Sequence, residues 1–287
     1  MESINMKKQL ASIIAASVLS LGAVSSWANT GDQVIDFDTA NIPGVSPDYQ
    51  FSYDEFGLSP VGDQTVVQVD SDNNGVLSDG DAFTEMSLFS TNGFSLNGAP
   101  LFPQPGIGID WQVLTGVTLD GFVTWQGAPG TSNLIVTFTS STGGSMVVNN
   151  ASPAAGPEEI ATISLMSGTC EITAPTSAAQ GSCLLTFDFN ATIAGVFTAQ
   201  GKGDLFGNDT DRLIVDINVN DLAGLSFAYD GFGDTCGAGS QAGGLCEQSL
   251  DLRHDGSAIH VVPAPGSLAL IGLGLLGLTR LRSRKAA

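Results

Sequence analysis

The chain has 287 residues and a formal net charge of −20, with 29 acidic and nine basic residues. Six of the basic residues lie near the two ends, so residues 29–260 hold 28 acidic and three basic side chains. Such an acidic segment repels nucleic-acid phosphates and anionic lipid headgroups, which argues against nucleic acid as a partner, whereas it suits cations.

The N-terminus has the pattern of a secretory signal peptide. Lys7 and Lys8 form a positive region, and residues 10–24 form an apolar stretch interrupted only by Ser and Gly. Small residues stand at Ser26 and Ala28, the −3 and −1 positions of a cleavage site. We therefore expect residues 1–28 to be a signal peptide that begins with a helix and is cleaved after Ala28. The alternative is an uncleaved membrane helix, which the short apolar core disfavours.

Residues 29–260 have the pattern of an acidic all-β body. Apolar and polar residues alternate in residues 134–139, 183–189 and 212–220, which predicts antiparallel strands with one buried face. Further strands are predicted near residues 64–69, 84–89, 111–125, 145–148, 160–166, 192–199, 225–229 and 257–262, with loops at 97–109 and 149–160. Many strands separated by Gly, Pro, Asn and Asp turns favour an antiparallel β-sandwich, jelly-roll-like, or a pair of sandwiches.

A seven-residue pattern, Phe-x-Tyr-Asp-x-Phe-Gly, occurs at residues 51–57 and again at 227–233. One interpretation is a pair of glycan-binding patches in which Tyr53 and Tyr229 stack on sugar rings. The favoured interpretation is two similar corners between a strand and a turn, because aromatic residues beside Gly in β proteins mostly pack in the core.

The strongest chemical motif of the body is the twelve-residue run 70–81. Calcium takes six to eight oxygen ligands, and an EF-hand-type loop supplies them from positions 1, 3, 5, 7, 9 and 12. Here those positions are Asp70, Asp72, Asn74, Val76 through its carbonyl, Ser78 and Asp81. The flanking residues are β-like, so we expect an isolated, structural Ca²⁺ loop between strands. The alternative is a polar turn whose Asp and Asn side chains cap their own backbone.

Four cysteines in an exported chain indicate two disulfides, for which three connectivities are possible. The pairs Cys170–Cys183 and Cys236–Cys246 are favoured because each encloses a local loop. A zinc site is not indicated, since the chain has no Cys-x-x-Cys and both histidines are isolated in the sequence.

The C-terminal segment, residues 261–287, has three parts. Pro263 and Pro265 stiffen a spacer, residues 268–278 contain only Leu, Ile, Ala and Gly, and a basic cluster follows. The cluster comprises Arg280, Arg282, Arg284 and Lys285. We expect a short hydrophobic helix over residues 267–281, with the basic end left in the cytoplasm and the body across the membrane.

In these three parts the ending resembles a PEP-CTERM sorting tail, also known as the ice-binding protein C-terminal domain. The family pattern is Pro-Glu-Pro, a Leu/Gly-rich helix and an Arg-rich end, and Ala264 stands where the family has Glu. The resemblance implies recognition by an exosortase-type enzyme, passage through the inner membrane, and delivery to the cell surface or extracellular matrix. It also implies a link to exopolysaccharide and biofilm. The alternative is a plain anchor helix that is not processed.

The body carries no pattern that indicates an enzyme. The histidines His254 and His260 are isolated, and there is no Gly-x-Ser-x-Gly motif and no phosphate-binding glycine loop. We therefore expect a non-enzymatic structural protein of the cell surface or matrix. The second hypothesis is a Ca²⁺-dependent carbohydrate-binding module that uses the tyrosine patches or Trp111 and Trp125. The third is a glycosidase-like enzyme with two close carboxylates.

Overall fold

Strands dominate the residues that the computed structural model describes, which are 33–61, 64–72, 74, 76–128, 132–150, 156–173, 179–207, 211–223 and 247–261. The strands are β1 Ile35–Asp38, β2 Gln50–Tyr53, β3 Glu55–Pro60, β4 Gln64–Val69, β5 Ala82–Leu96, β6 Ala99–Pro100, β7 Trp111–Trp125, β8 Leu134–Asn150, β9 Glu158–Ile172, β10 Ala179–Ala191, β11 Phe197–Ala199, β12 Gly203–Asp204, β13 Arg212–Ala223 and β14 Glu247–Val261. Within these ranges no helix is long and apolar enough to cross a membrane. The predicted signal peptide and the predicted helix over 267–281 lie outside them.

The long strands form one closed antiparallel barrel with eight positions. The order around it is β5, β7, β8, β9, β10, β13 and β14, and the eighth position is shared by β3 and β4. Closure depends on β14, because it pairs with β13 on one side and with both β3 and β4 on the other, and these two pair back to β5. The all-β, antiparallel prediction is confirmed. The β-sandwich prediction is wrong, because a sheet whose last strand pairs with its first does not separate into two layers.

The interior of the barrel is filled by alternate residues of each strand, as the period-two pattern predicted. On β10 these residues are Cys183, Leu185, Phe187 and Phe189, all buried, while β13 contributes Leu213, Val215, Ile217 and Val219. A cavity of only about 20 Å³ remains between them, which is room for about one water molecule. The interior is therefore a packed core and not a ligand chamber.

A small sheet, in the order β12-β11-β1-β2, packs against one end of the barrel. Its central aromatic residue, Phe37, contacts Phe94 of β5 and Trp111 of β7, with ring centroids 6.2 Å and 5.5 Å away. Phe37 also contacts Phe51 and Phe197 within the small sheet, at 5.5 Å and 5.1 Å. We call this sheet the aromatic cap, because ring packing of this kind closes the end of the barrel.

The repeated aromatic pattern marks a corner in its first copy. Residues 51–57 leave the aromatic cap in β2 and enter the barrel in β3. Between the two strands, the buried carboxylate of Asp54 accepts a hydrogen bond of 2.6 Å from the backbone N–H of Asn97. The corner interpretation therefore describes the first copy, and the second copy lies outside the described residues.

Strand and loop boundaries were predicted less well than strand positions. The predicted loop at 149–160 is wrong at both ends, since Asn149 and Asn150 end β8 and residues 158–160 begin β9. The predicted strand at 192–199 is reduced to β11, and the loop at 97–109 contains the two-residue strand β6. The predicted strand at 225–229 lies outside the described residues.

One predicted disulfide links β9 and β10. Cys170 and Cys183 are directly opposite in the antiparallel register, and their sulfur atoms are bonded. Both residues are buried in the barrel wall, so the cross-link lies within the core. Cys236 and Cys246 lie outside the residues that the structure describes.

Candidate functional site

The candidate calcium loop, residues 70–81, connects β4 to β5 at the barrel end opposite the aromatic cap. It is attached to Trp125, the last residue of β7, whose backbone N–H donates to Asp79 Oδ1 at 2.7 Å. The Trp125 indole Nε1–H donates to the carbonyl of Leu77 at 3.0 Å, and the Leu77 side chain is buried. The loop is therefore held on the barrel by defined contacts, which limits its freedom to change shape.

Three carboxylates meet in this loop. Oxygen atoms of Asp70, Asp72 and Asp81 all lie within 4.8 Å of one another. Asp70 and Asp81 are only 3% and 1% exposed, while Asp72 is exposed. Like charges at this separation repel each other, and the repulsion is stronger where water is excluded. A divalent cation would offset that repulsion, and carboxylate oxygens are the ligands that calcium prefers.

Hydrogen bonds within the loop fix the orientation of these carboxylates. Asp81 accepts from the backbone N–H groups of Ser71 at 2.9 Å and Ser78 at 2.8 Å. The Asn74 N–H lies 3.1 Å from Asp70 Oδ1 and 3.2 Å from Asp72 Oδ1. Side-chain caps of this kind are what the polar-turn interpretation predicts. They are compatible with a cation, because each carboxylate oxygen has two lone pairs.

The six predicted ligands are not equally placed. Asp70, Asp72 and Asp81 form the cluster, and the Ser78 hydroxyl borders it, 3.2 Å from Asp72 Oδ2. The Asn74 side-chain oxygen instead accepts a hydrogen bond of 2.8 Å from the backbone N–H of Val76, which is exposed. The Asn74 oxygen keeps a second lone pair, as the carboxylate oxygens do, so this hydrogen bond is also compatible with a cation.

The residues proposed for sugar stacking are buried. Tyr53, Trp111 and Trp125 are each no more than 6% exposed. The Trp111 indole N–H donates to the carbonyl of Pro105 at 2.9 Å, and Tyr53 of the aromatic cap contacts His260 of β14. The glycan interpretation is therefore wrong for these three rings, because no ring face is open to a sugar. Tyr229 lies outside the described residues.

Sequence reasoning did not single out two buried acids. Glu85 faces the barrel interior, accepts a hydrogen bond from the Ser87 hydroxyl, and has its pKa raised by burial. Burial also raises the pKa of Asp211 to about 6, although nearby Lys202 and Arg212 favour its charged form. The burial of Glu85 could have been predicted, because its even spacing from Phe83 and Phe89 places the acid on the apolar face of the strand.

One family model matches the chain: the PEP-CTERM protein-sorting motif, over residues 261–285. No curated protein and no solved structure matches the chain. The predicted sorting residues Pro263, Pro265, Arg280, Arg282 and Arg284 lie in the matched segment, outside the described residues. The resemblance read from the sequence is confirmed. The tail implies export, interaction with exosortase-type sorting machinery, and localisation at the cell surface or outside the cell.

Proposed function

We propose that this chain is a non-enzymatic structural protein of the cell surface or extracellular matrix, delivered there by its C-terminal sorting motif. The observation that carries the proposal is the match of residues 261–285 to the PEP-CTERM protein-sorting motif. In this proposal the folded barrel is the delivered material, and the tail serves only to sort it.

The position of the last strand supports a folded barrel that is separate from its sorting tail. Strand β14 ends at Val261, and the motif match begins at the same residue. Removal of the tail near Pro263 or Pro265 would therefore leave every pairing of β14 with β13, β3 and β4 in place. A domain whose fold survives processing can function after release from the membrane.

The packed interior favours a structural role over catalysis or transport. Two buried groups of the kind that often act as acids or bases, His260 and Glu85, lie in packed positions and not in an open cleft. The interior cavity of about 20 Å³ is far smaller than the several hundred Å³ of usual ligand pockets.

Calcium bound to the loop at residues 70–81 would stabilise the domain outside the cell. The three clustered carboxylates support this part of the proposal, together with the attachment of the loop to Trp125. Extracellular calcium modules bind with dissociation constants on the order of 10⁻⁴–10⁻³ M, which suits a structural role in a calcium-rich medium.

The proposal also includes association with exopolysaccharide in a biofilm, which the resemblance of the tail implies. It is tested by fractionating native-host cells that produce either the full chain or a variant with Arg280, Arg282 and Arg284 changed to Ala. We expect the full chain in the polysaccharide-containing surface fraction and the variant retained in the cell envelope. The matched control changes the same residues to Lys, which keeps the positive charge. An unchanged distribution of the Ala variant would contradict sorting by this tail.

A further inference from the structure

A groove of about 280 Å³ lies on the barrel surface beside the aromatic cap. It is lined by Gly108, Ile109, Trp111, Gln112, Asn149 and Asn150. The groove is at the start of β7, whereas the candidate calcium loop is at its end, about 45 Å away along the strand. The two sites can therefore be altered independently of each other.

One wall of the groove is a loop with a fixed conformation. The carbonyl of Gly106 accepts hydrogen bonds from the backbone N–H groups of Ile109 at 3.1 Å and Asp110 at 2.8 Å. The Tyr49 hydroxyl donates to Asp110 Oδ2 at 2.5 Å. Gly106 has a φ of 71°, and a Cβ there would lie 2.5 Å from the Tyr49 ring, so only Gly fits. A wall fixed in this way needs little ordering when a ligand binds.

This fixed loop presents an apolar side chain to solvent. Ile109 is 80% exposed, although the backbone that carries it is well anchored. Exposure of a large apolar side chain forgoes the stabilisation that burial would provide. Since Ile109 also lines the groove, its exposed surface is available to a ligand with an apolar face.

Three of the six residues that line the groove carry amide side chains. Gln112 of β7 and Asn149 of β8 are directly opposite in the strand register. Next to them, the Asn150 amide has one hydrogen bond, of 3.3 Å to the carbonyl of Pro43, and its Oδ1 atom has no partner. The Oδ1 atom is itself buried, so a ligand that donates to it would supply the partner that it lacks. The Gln112 amide already donates from Nε2 to the Ser90 hydroxyl at 2.6 Å. Amide side chains carry donors and acceptors together.

From this chemistry we propose that the groove binds a neutral polysaccharide chain. Sugar hydroxyls both donate and accept, which matches three amides, and the C–H face of a sugar ring can lie on Ile109. None of the six lining residues is charged, and the chain's net charge of −20 repels polyanions. A role for such binding rests on the proposed matrix function, whereas the binding itself can be measured without sorting.

The test is non-denaturing affinity electrophoresis of the full chain in detergent, in gels containing dextran, galactomannan, hydroxyethylcellulose or the acidic polymer alginate. We expect at least one neutral polymer to retard the protein and alginate to have no effect. Asn149→Leu removes the hydrogen-bonding groups at similar size and should weaken binding about tenfold, the equivalent of one or two hydrogen bonds. The matched control is Asn218→Leu, at an exposed position of β13 outside the groove.

A second control distinguishes binding in the groove from nonspecific adhesion through exposed apolar side chains. Phe102 is 84% exposed in the same loop but does not line the groove, so Phe102→Ala should leave retardation unchanged. The proposal fails if no neutral polymer retards the protein, or if Phe102→Ala weakens binding as much as Asn149→Leu. Asn149-dependent binding of unfolded casein but not of polysaccharide would overturn the ligand class. A protein that is correctly sorted yet ignores all neutral polymers would defeat this inference alone.

Discussion

The Tyr53 hydroxyl lies 3.0 Å from His260 Nε2, and both side chains are buried. This contact joins β2 of the aromatic cap to β14, the strand that closes the barrel. The His260 ring also meets the Phe189 ring edge-on, with centroids 4.7 Å apart. This polar contact between cap and barrel thus lies inside an aromatic cluster.

Removal of this polar contact should destabilise the domain. In Tyr53→Phe the His260 Nε2 atom would lose its hydroxyl partner while remaining buried, and the other ring nitrogen, Nδ1, already has no hydrogen-bond partner. We expect a loss of about 1–3 kcal/mol in the free energy of unfolding, measured by denaturant titration. Stability of Tyr53→Phe equal to that of the unchanged protein would contradict the contact's role.

His260 should also make stability depend on pH. Burial lowers its pKa from 6.5 to about 3, so between these values the unfolded chain binds a proton that the folded protein does not. The contribution of neutral His260 is therefore complete above pH 6.5 and is lost as the pH falls toward 3, by at most about 1.4 kcal/mol per pH unit.

The effect must be isolated from other groups, because the raised pKa of Asp211 acts in the opposite direction between pH 3.8 and about 6. The measurement is the difference in unfolding free energy between the unchanged protein and His260→Phe, which keeps an aromatic ring but does not titrate. We expect the unchanged protein to lose stability relative to the variant as the pH is lowered from 7 to 4. Parallel pH profiles would show that His260 does not titrate as described.

The sequence indicated the strands better than their closure into a barrel. Period-two alternation identified the inward residues of β10 and β13, because each strand has one apolar and one polar face. Closure depends on β14 pairing with β3 and β4, about 200 positions away in the chain, and no local pattern encodes that pairing. Even so, Trp111 lies an even number of residues from Val113 and Val117 and therefore on the same strand face, so the sequence was enough to predict its burial.

The candidate site was predicted only in part, because some of its contacts are local and others come from distant strands. The spacing of residues 70–81 was enough to indicate that Asp70, Asp72 and Asp81 converge, because they belong to one short loop. It also allowed the cap that Asn74 forms on the Val76 N–H, but it did not indicate that Trp125 would anchor the loop from another strand. Local spacing predicts local convergence, whereas contacts between distant segments depend on the fold.

Calcium should stabilise the domain through the carboxylate cluster. With a dissociation constant of about 0.5 mM, about 5 mM Ca²⁺ would add about 1.4 kcal/mol, or about 3–5 °C in melting temperature. Asp72→Asn should abolish this gain, and in EDTA it should melt above the unchanged protein, because it removes one of three repelling charges. Asp216→Asn, at an exposed acid of β13, should retain the full gain. Identical melting curves of the unchanged protein in Ca²⁺ and EDTA would contradict the calcium proposal.

The Cys170–Cys183 disulfide should add stability and resist reduction in the folded state. The bond closes a loop with a sequence separation of 13, for which restriction of the unfolded chain gives about 3 kcal/mol. We expect the double variant Cys170→Ala, Cys183→Ala to unfold at a correspondingly lower denaturant concentration. Because both cysteines are buried, dithiothreitol should reduce this bond only when denaturant is present. An unchanged unfolding midpoint in the double variant would show that the disulfide does not stabilise the folded state.

The most direct test of the account is mass spectrometry of both ends of the mature protein, after fractionation of native-host cells. We expect a protein in the surface or matrix fraction that begins after Ala28 and ends near Pro263–Pro265, shortly after β14 is complete at Val261. A chain that ends at Ala287 and stays in the inner-membrane fraction would contradict it. That result would identify the tail as a permanent anchor and not as a sorting signal.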